Sequence, residues 1–210
     1  MKLVPNSGAD RVIDLLRPHL QPGGQLGCVT PALSLFAFAE LRHALASLEQ
    51  TQLILPPDDE ALEFLGSEGD RIHRNQLQAR WLANQCAQWM STKVELRRAL
   101  GRVPQGAVVM RNAQGAAEQV VLGSFAFSTD GLGLTPGNPL NLIQASETAA
   151  EAAQLAQWFD QQWAALRTQP DSQGALVTAL RQRGAHQAPY AVYALILHRL
   201  LGDRDEALDE

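Results

Sequence analysis

The chain has 210 residues, 46% of them hydrophobic and 19% charged, with a net charge of −5. Those values exclude a disordered or collagen-like chain and leave room for one sizeable core plus an appendage. Two Cys and five scattered His exclude a disulfide framework and a Cys/His metal site.

The first residues, Met1-Lys2-Leu3-Val4-Pro5, lack the apolar core of a signal peptide. No apolar run is long enough to span a bilayer, so a cytoplasmic protein without membrane contact is expected. Residues 8–20 put Val12, Ile13, Leu16 and Leu20 on one helical face, and Pro22-Gly23-Gly24 ends that helix. A strand at 26–30, a helix at 34–48 and a strand at 51–55 follow with short loops, the pattern of a parallel pair. After Pro56-Pro57, Asp58-Asp59-Glu60 opens an acidic run and reads as a solvated helix start, not a metal site. Residues 75–90 form an amphipathic helix with Leu77, Trp81, Leu82, Cys86 and Trp89 on one side. Both Trp follow the apolar face and read as core packing, not as a base-stacking platform, and Cys86 reads as a buried thiol.

A third strand is expected at 94–96, and a hairpin pairs 107–110 with 119–122 around residues 112–115. A further strand is expected at 139–144, carrying Leu140, Leu142 and Ile143. Thr148 and Glu151 form a capping box for a helix to about residue 166 that buries Ala152, Leu155, Phe159 and Trp163. Residues 169–173 break the pattern. Two helices follow, at 174–183 and 189–201, with Pro189 in a first turn and Gly202 at a C-cap. The expected architecture is α/β: a mixed sheet flanked by helices over residues 1–168, a helical hairpin at 172–202 and an acidic linker start at 203–210.

Val103-Pro104-Gln105-Gly106-Ala107-Val108-Val109 reads as a turn feeding a buried strand, and Val120-Val121-Leu122-Gly123-Ser124 as a strand ending in a tight corner. This layout resembles the phospholipase D superfamily pattern His-x-Lys-x4-Asp followed by Gly-Ser-x-Asn. Gln105 stands at the His position, Ala107 at the Lys position, Asn112 at the Asp position and Ala126 at the Asn position, while Gly123 and Ser124 are kept. In that superfamily the His attacks phosphorus, and the Lys and Asn hold the phosphoryl oxygens. An imidazole suits the first task and a cation the second; Gln105 and Ala107 supply neither. The chain has only Lys2 and Lys93, and no His between His73 and His186, so no shifted register restores the motif. The order of elements is similar to one phospholipase D-like half. Because those enzymes join two halves, the resemblance implies a homodimer or packing on another domain. An ordinary apolar hairpin is the competing reading.

Residues 122–134, then Asn141-Leu142-Ile143-Gln144 and the helix of Trp158 and Trp163, resemble the phospholipase D-like region that begins certain bacterial Swi/Snf-type helicases. Residues 191–197 and the acidic end resemble the helical bridge into their motor. No Gly-Lys dipeptide is present, so a phosphate-binding loop is absent here and any ATPase is expected beyond Glu210. The resemblance implies a non-catalytic piece with no cofactor, partnered by DNA and by the helicase motor of the same polypeptide.

Charge is unevenly placed. Residues 58–70 carry six acids and no base, while 71–111 carry eight bases and one acid, Glu95. Arg74, Arg80, Lys93, Arg97, Arg98, Arg102 and Arg111, together with Arg71, form either a phosphate- or partner-facing patch or partners for the acids. Three functions follow: positioning DNA for a helicase; a protein-interaction or dimerisation module; and hydrolysis with Ser124 as nucleophile. The last is disfavoured because Ser124 lacks a Gly-x-Ser-x-Gly context and a nearby His. His186 and His198 have no completing ligand and read as surface residues.

Overall fold

The computed structural model describes residues 1–57, 76–167 and 170–185, side chains at 76–79, 170 and 183–185 excepted. The acidic run 58–70, Arg71, His73, Arg74, His186, His198, the helix expected at 189–201 and the acidic end lie outside the described residues.

A seven-stranded mixed sheet forms the middle layer, in the order β1-β7-β6-β5-β2-β3-β4. One side of it is made of β2 (Gln25–Val29), β3 (Gln50–Leu55) and the edge strand β4 (Val94–Arg98), which run parallel. The crossovers are α2 (Leu35–Ser47) between β2 and β3, and α3 (Gln76–Lys93) before β4. On the other side of β2 lies β5 (Gly106–Arg111), antiparallel to it and paired in a hairpin with β6 (Ala117–Gly123). Beyond β6 come β7 (Ile143–Ala145) and the edge strand β1 (Lys2–Leu3).

Both faces of the sheet are covered, which is why its strands read as near-continuous apolar runs. Side chains alternate between the layers with period two. Leu53, Leu55, Val108, Met110 and Val121 enter the core shared with α1 (Val12–Leu16), α2, α3 and α5 (Pro170–Ala185). Ile54, Val109 and Val120 enter the opposite core, under α4 (Ala149–Ala165), with Ala152, Ala156, Phe159 and Trp163. Phe159 lies directly over Gly27 of β2, where a methyl group would stand 2.7 Å from its ring. Burying such a side chain contributes roughly 1.5–3 kcal/mol. Phe38 of α2 meets Trp89 of α3 with ring centroids 5.2 Å apart.

Four expectations need correction, and one strand is an addition. The first helix begins at Val12, not at residue 8, because Asn6 (φ 55) and Gly8 (φ 61) turn the chain left-handed. Asn6 Oδ1 accepts the Val12 N–H at 3.0 Å. Pro18 then shifts its end into a 3-10 turn, Arg17–His19. The strand expected at 139–144 shrinks to Ile143–Ala145, since Asn138 Oδ1 takes the Leu140 N–H and turns the chain; Leu140 is 88% exposed. The break expected at 169–173 is shorter, because Pro170 opens α5 in the helical turn where its missing N–H costs nothing. Trp89 is buried as expected, but Trp81 is 49% exposed: the buried stripe of α3 runs through Leu82, Ala83, Cys86, Ala87, Trp89 and Met90 and leaves Trp81 at its margin. Finally, β1 was not anticipated, being too short to show a period.

Candidate functional site

The register of the hairpin sets the geometry. Gly106 of β5 pairs with Gly123 of β6, so Gln105 and Ser124 flank that pair at one edge of the sheet. Thr30 follows β2 at the same edge, because Ala107 also pairs with Val29. This is the edge where the parallel strands end, the usual ligand side of an open α/β sheet. Thr30 braces the rim: its buried Oγ1 donates to Ala32 O (2.6 Å) and accepts the Phe127 N–H (2.8 Å).

Gly123 makes the corner. Its φ of 142° suits glycine, and an added Cβ would lie 2.1 Å from Leu142 O. Ser124 N donates to that same oxygen at 2.9 Å, and the Ser124 side chain is exposed. The residues at the positions of the resemblance do not share one cavity. Gln105 and Ala107 line a space of about 180 Å³ under α4, with Val120, Leu122, Leu155 and Trp158. Ser124 and Ala126 line a space of about 270 Å³ with Ser128, Asp130 and Asn141 among its polar walls. Asn112 lies at the far end of β5. Its Oδ1 accepts the N–H groups of Gln114 (3.1 Å) and Ala116 (3.0 Å), so it organises the hairpin turn.

Neither cavity is lined by His, Lys, Arg or Cys among the described residues. Among the described residues the only carboxylate lining either is Asp130, whose Oδ1 accepts the Ser128 hydroxyl at 2.6 Å. An exposed hydroxyl without a base beside it is a weak nucleophile. Both thiols lie elsewhere, fully buried in Cys28 and Cys86, and burial pushes each up to about 12. No three His, Cys, Asp or Glu side chains gather as a metal site among the described residues. None of their helices is long and apolar enough to cross a membrane.

The basic residues fall on different faces. Arg97 and Arg98 are neighbours on β4 and therefore point to opposite layers. The Arg97 guanidinium lies 4.2 Å from the centroid of the Trp163 ring and donates to Leu166 O (3.0 Å), to Trp163 O and to Glu95 (2.9 Å). Arg98, 6% exposed, donates to Pro56 O at 3.0 Å. Arg111 pairs with Asp160 of α4 at 2.7 Å. Lys93 Nζ donates to Leu48 O, at the C-terminal end of α2, at 2.9 Å. Arg80 is half-buried on α3, and Arg102 is exposed in the loop before β5. Arg74 lies outside the described residues.

Sequence reasoning found the corner but missed its supports. Asn6 reaches from the amino terminus to donate to Asp130 O and Gly131 O (3.1 and 3.0 Å), fixing the loop that walls the Ser124 cavity. No local pattern announces a contact across so much of the chain. Among protein-family models and curated proteins, none matches this chain.

Proposed function

We propose that the chain is a non-catalytic binding domain: a phospholipase D-like scaffold that has lost its reactive groups, carried at the amino terminus of a larger ATP-dependent helicase and positioning DNA for the motor. The observation that carries this reading is the Gln105–Ser124 corner. The two segments stand side by side, and among the described residues the cavities they line hold no nucleophile–base pair and no cation. Phosphoryl transfer needs both a nucleophile and stabilisation of developing charge. The succession β2-α2-β3-α3-β4-β5-β6-β7-α4 adds support, being the order of elements that the resemblance implies. The test combines cleavage and retention. Purified chain is expected to leave plasmid DNA intact with or without divalent metal. It is expected to retain DNA at low salt, with affinity falling by orders of magnitude between about 50 and 200 mM salt. Metal-independent cleavage abolished by Ser124→Ala would reverse the conclusion.

One observation favours a second reading, a protein-docking or dimerisation module. Lys93, Arg97, Arg98 and Arg111 already donate to internal acceptors. Exposed Leu3, Leu140 and Leu142 meanwhile border a depression of about 700 Å³. A molecular mass that rises with concentration in light scattering, with no retention of DNA, would select it.

A further inference from the structure

The groove between α2 and α3 lies away from the Gln105–Ser124 edge and has a different character. It holds about 330 Å³. Among the described residues, Arg42, His43 and Lys93 line it and no acid does. In a chain of net charge −5, that local balance favours an anionic occupant. From α3, Trp81, Gln85, Gln88 and Thr92 face it at spacings of four, three and four, one stripe of the helix. The stripe extends about 16 Å at the rise of an α-helix, longer than a single nucleotide.

Trp81 is the second, independent observation. Trp89 and Trp163 are buried and Trp158, 40% exposed, stands by the Gln105 cavity, while Trp81 keeps 49% of its surface exposed at this groove. The Arg42 guanidinium stands 5.3 Å from the centroid of its ring. That contact holds the ring in place and leaves a π-face and a cation together at the surface. Arg42 Nη1 donates to Ala39 O, and Lys93 Nζ to Leu48 O. A guanidinium has five N–H donors and an ammonium three, so each has capacity left for a phosphate oxygen. A positive groove beside an exposed aromatic ring is the arrangement that takes single strands, whose bases are free to stack.

We infer that this groove binds single-stranded nucleic acid, with Trp81 stacking a base and Arg42, His43 and Lys93 contacting its backbone. This rests on the DNA-binding reading above and moves the contact from the degenerate pocket to the opposite layer. The probe is a labelled oligo-dT, titrated into the chain at low salt and followed by fluorescence anisotropy. Trp81→Ala is expected to weaken binding roughly five- to a hundredfold, the range for losing one stacked base, and Trp81→Phe to keep most of it. Arg42→Gln is expected to reduce the slope of log affinity against log salt by about 0.7. Both side chains are partly or largely exposed, so circular dichroism and the urea midpoint should stay near those of the parent chain. Undiminished binding by both variants, with weakening by Arg102→Gln, would overturn the groove and leave the DNA-binding reading standing. No retention of oligo-dT or duplex at low salt would overturn both. Displacement of oligo-dT by polyglutamate, with Trp81→Ala unchanged in affinity, would make the groove an acidic-peptide site and overturn the stacking assignment.

Discussion

Gly123 and Ser124 adjoin in sequence but carry different burdens. A Cβ on Gly123 would meet a backbone carbonyl, which cannot rotate aside as a side chain could. The backbone angle adds a penalty of about 1–3 kcal/mol by itself. Gly123→Ala is therefore expected to lower the urea midpoint strongly, while Ser124→Ala, at an exposed hydroxyl, should stay within about 0.5 kcal/mol. Equal effects of the two would mean that the corner is not the rigid element described. The basic residues teach a related lesson. Arg97 stacks on Trp163 and closes the carbonyl end of α4, so its charge serves packing. In the sequence, Arg97 and Arg98 look like one patch; alternation along a strand sends them to separate layers. Charge counting along a chain is blind to that.

At the scale of elements, the amino terminus of α4 concentrates several contacts. Thr148 Oγ1 accepts the Glu151 N–H at 3.2 Å, while the Glu151 carboxylate accepts the N–H groups of Glu147 (2.8 Å) and Thr148 (3.4 Å) and pairs with the Met1 ammonium (2.6 Å). Those contacts, the Glu147 N–H first, hold the Glu151 carboxyl below the usual carboxylate range. A carboxyl depressed on folding stabilises above its unfolded pKa, and that contribution is lost as pH falls through the folded value. Thr148→Ala is expected to cost about 0.5–2 kcal/mol. Glu151→Gln should flatten the acid side of the stability–pH curve and leave its neutral limb similarly shaped. An acid limb unchanged in Glu151→Gln would remove Glu151 from this role. The capping box was legible because it is local: two residue types three apart before an apolar run. The parallel β2–α2–β3 unit was legible for a like reason, through apolar periods and short loops. Illegible were the strand β1, the loop at Leu140 and the exposure of Trp81. Each depends on what the rest of the chain places opposite, and a single helical wheel puts Trp81 and Leu82 on one broad face.

At the scale of the whole molecule, the described residues form three layers, and α5 is part of the core. Gln173 of α5 donates through Nε2 to Met90 O (2.9 Å) and Val94 O (2.8 Å), and its Oε1 accepts the Leu96 N–H (3.3 Å). It thus clamps the junction of α3 and β4, where the helical layer meets the sheet. Leu176, Val177 and Leu180 are buried beside it in the core cluster shared with α2 and α3. At roughly 1.5–3 kcal/mol each, their burial amounts to about 5–9 kcal/mol. A domain of this kind has a net stability of about 5–15 kcal/mol. A chain ended after residue 168, the boundary that the sequence pattern suggests for the sheet domain, would forfeit most of that margin. It would also uncover the junction of α3 and β4 that Gln173 holds. The expected result is loss of a cooperative urea transition and reaction of both thiols with a maleimide under native conditions, whereas in the intact chain Cys28 and Cys86 should be silent. A truncated chain that still unfolds cooperatively with both thiols protected would show that α5 is an appendage. The three-layer core, and with it the rigidity of the α2–α3 groove, would then have to be drawn without it.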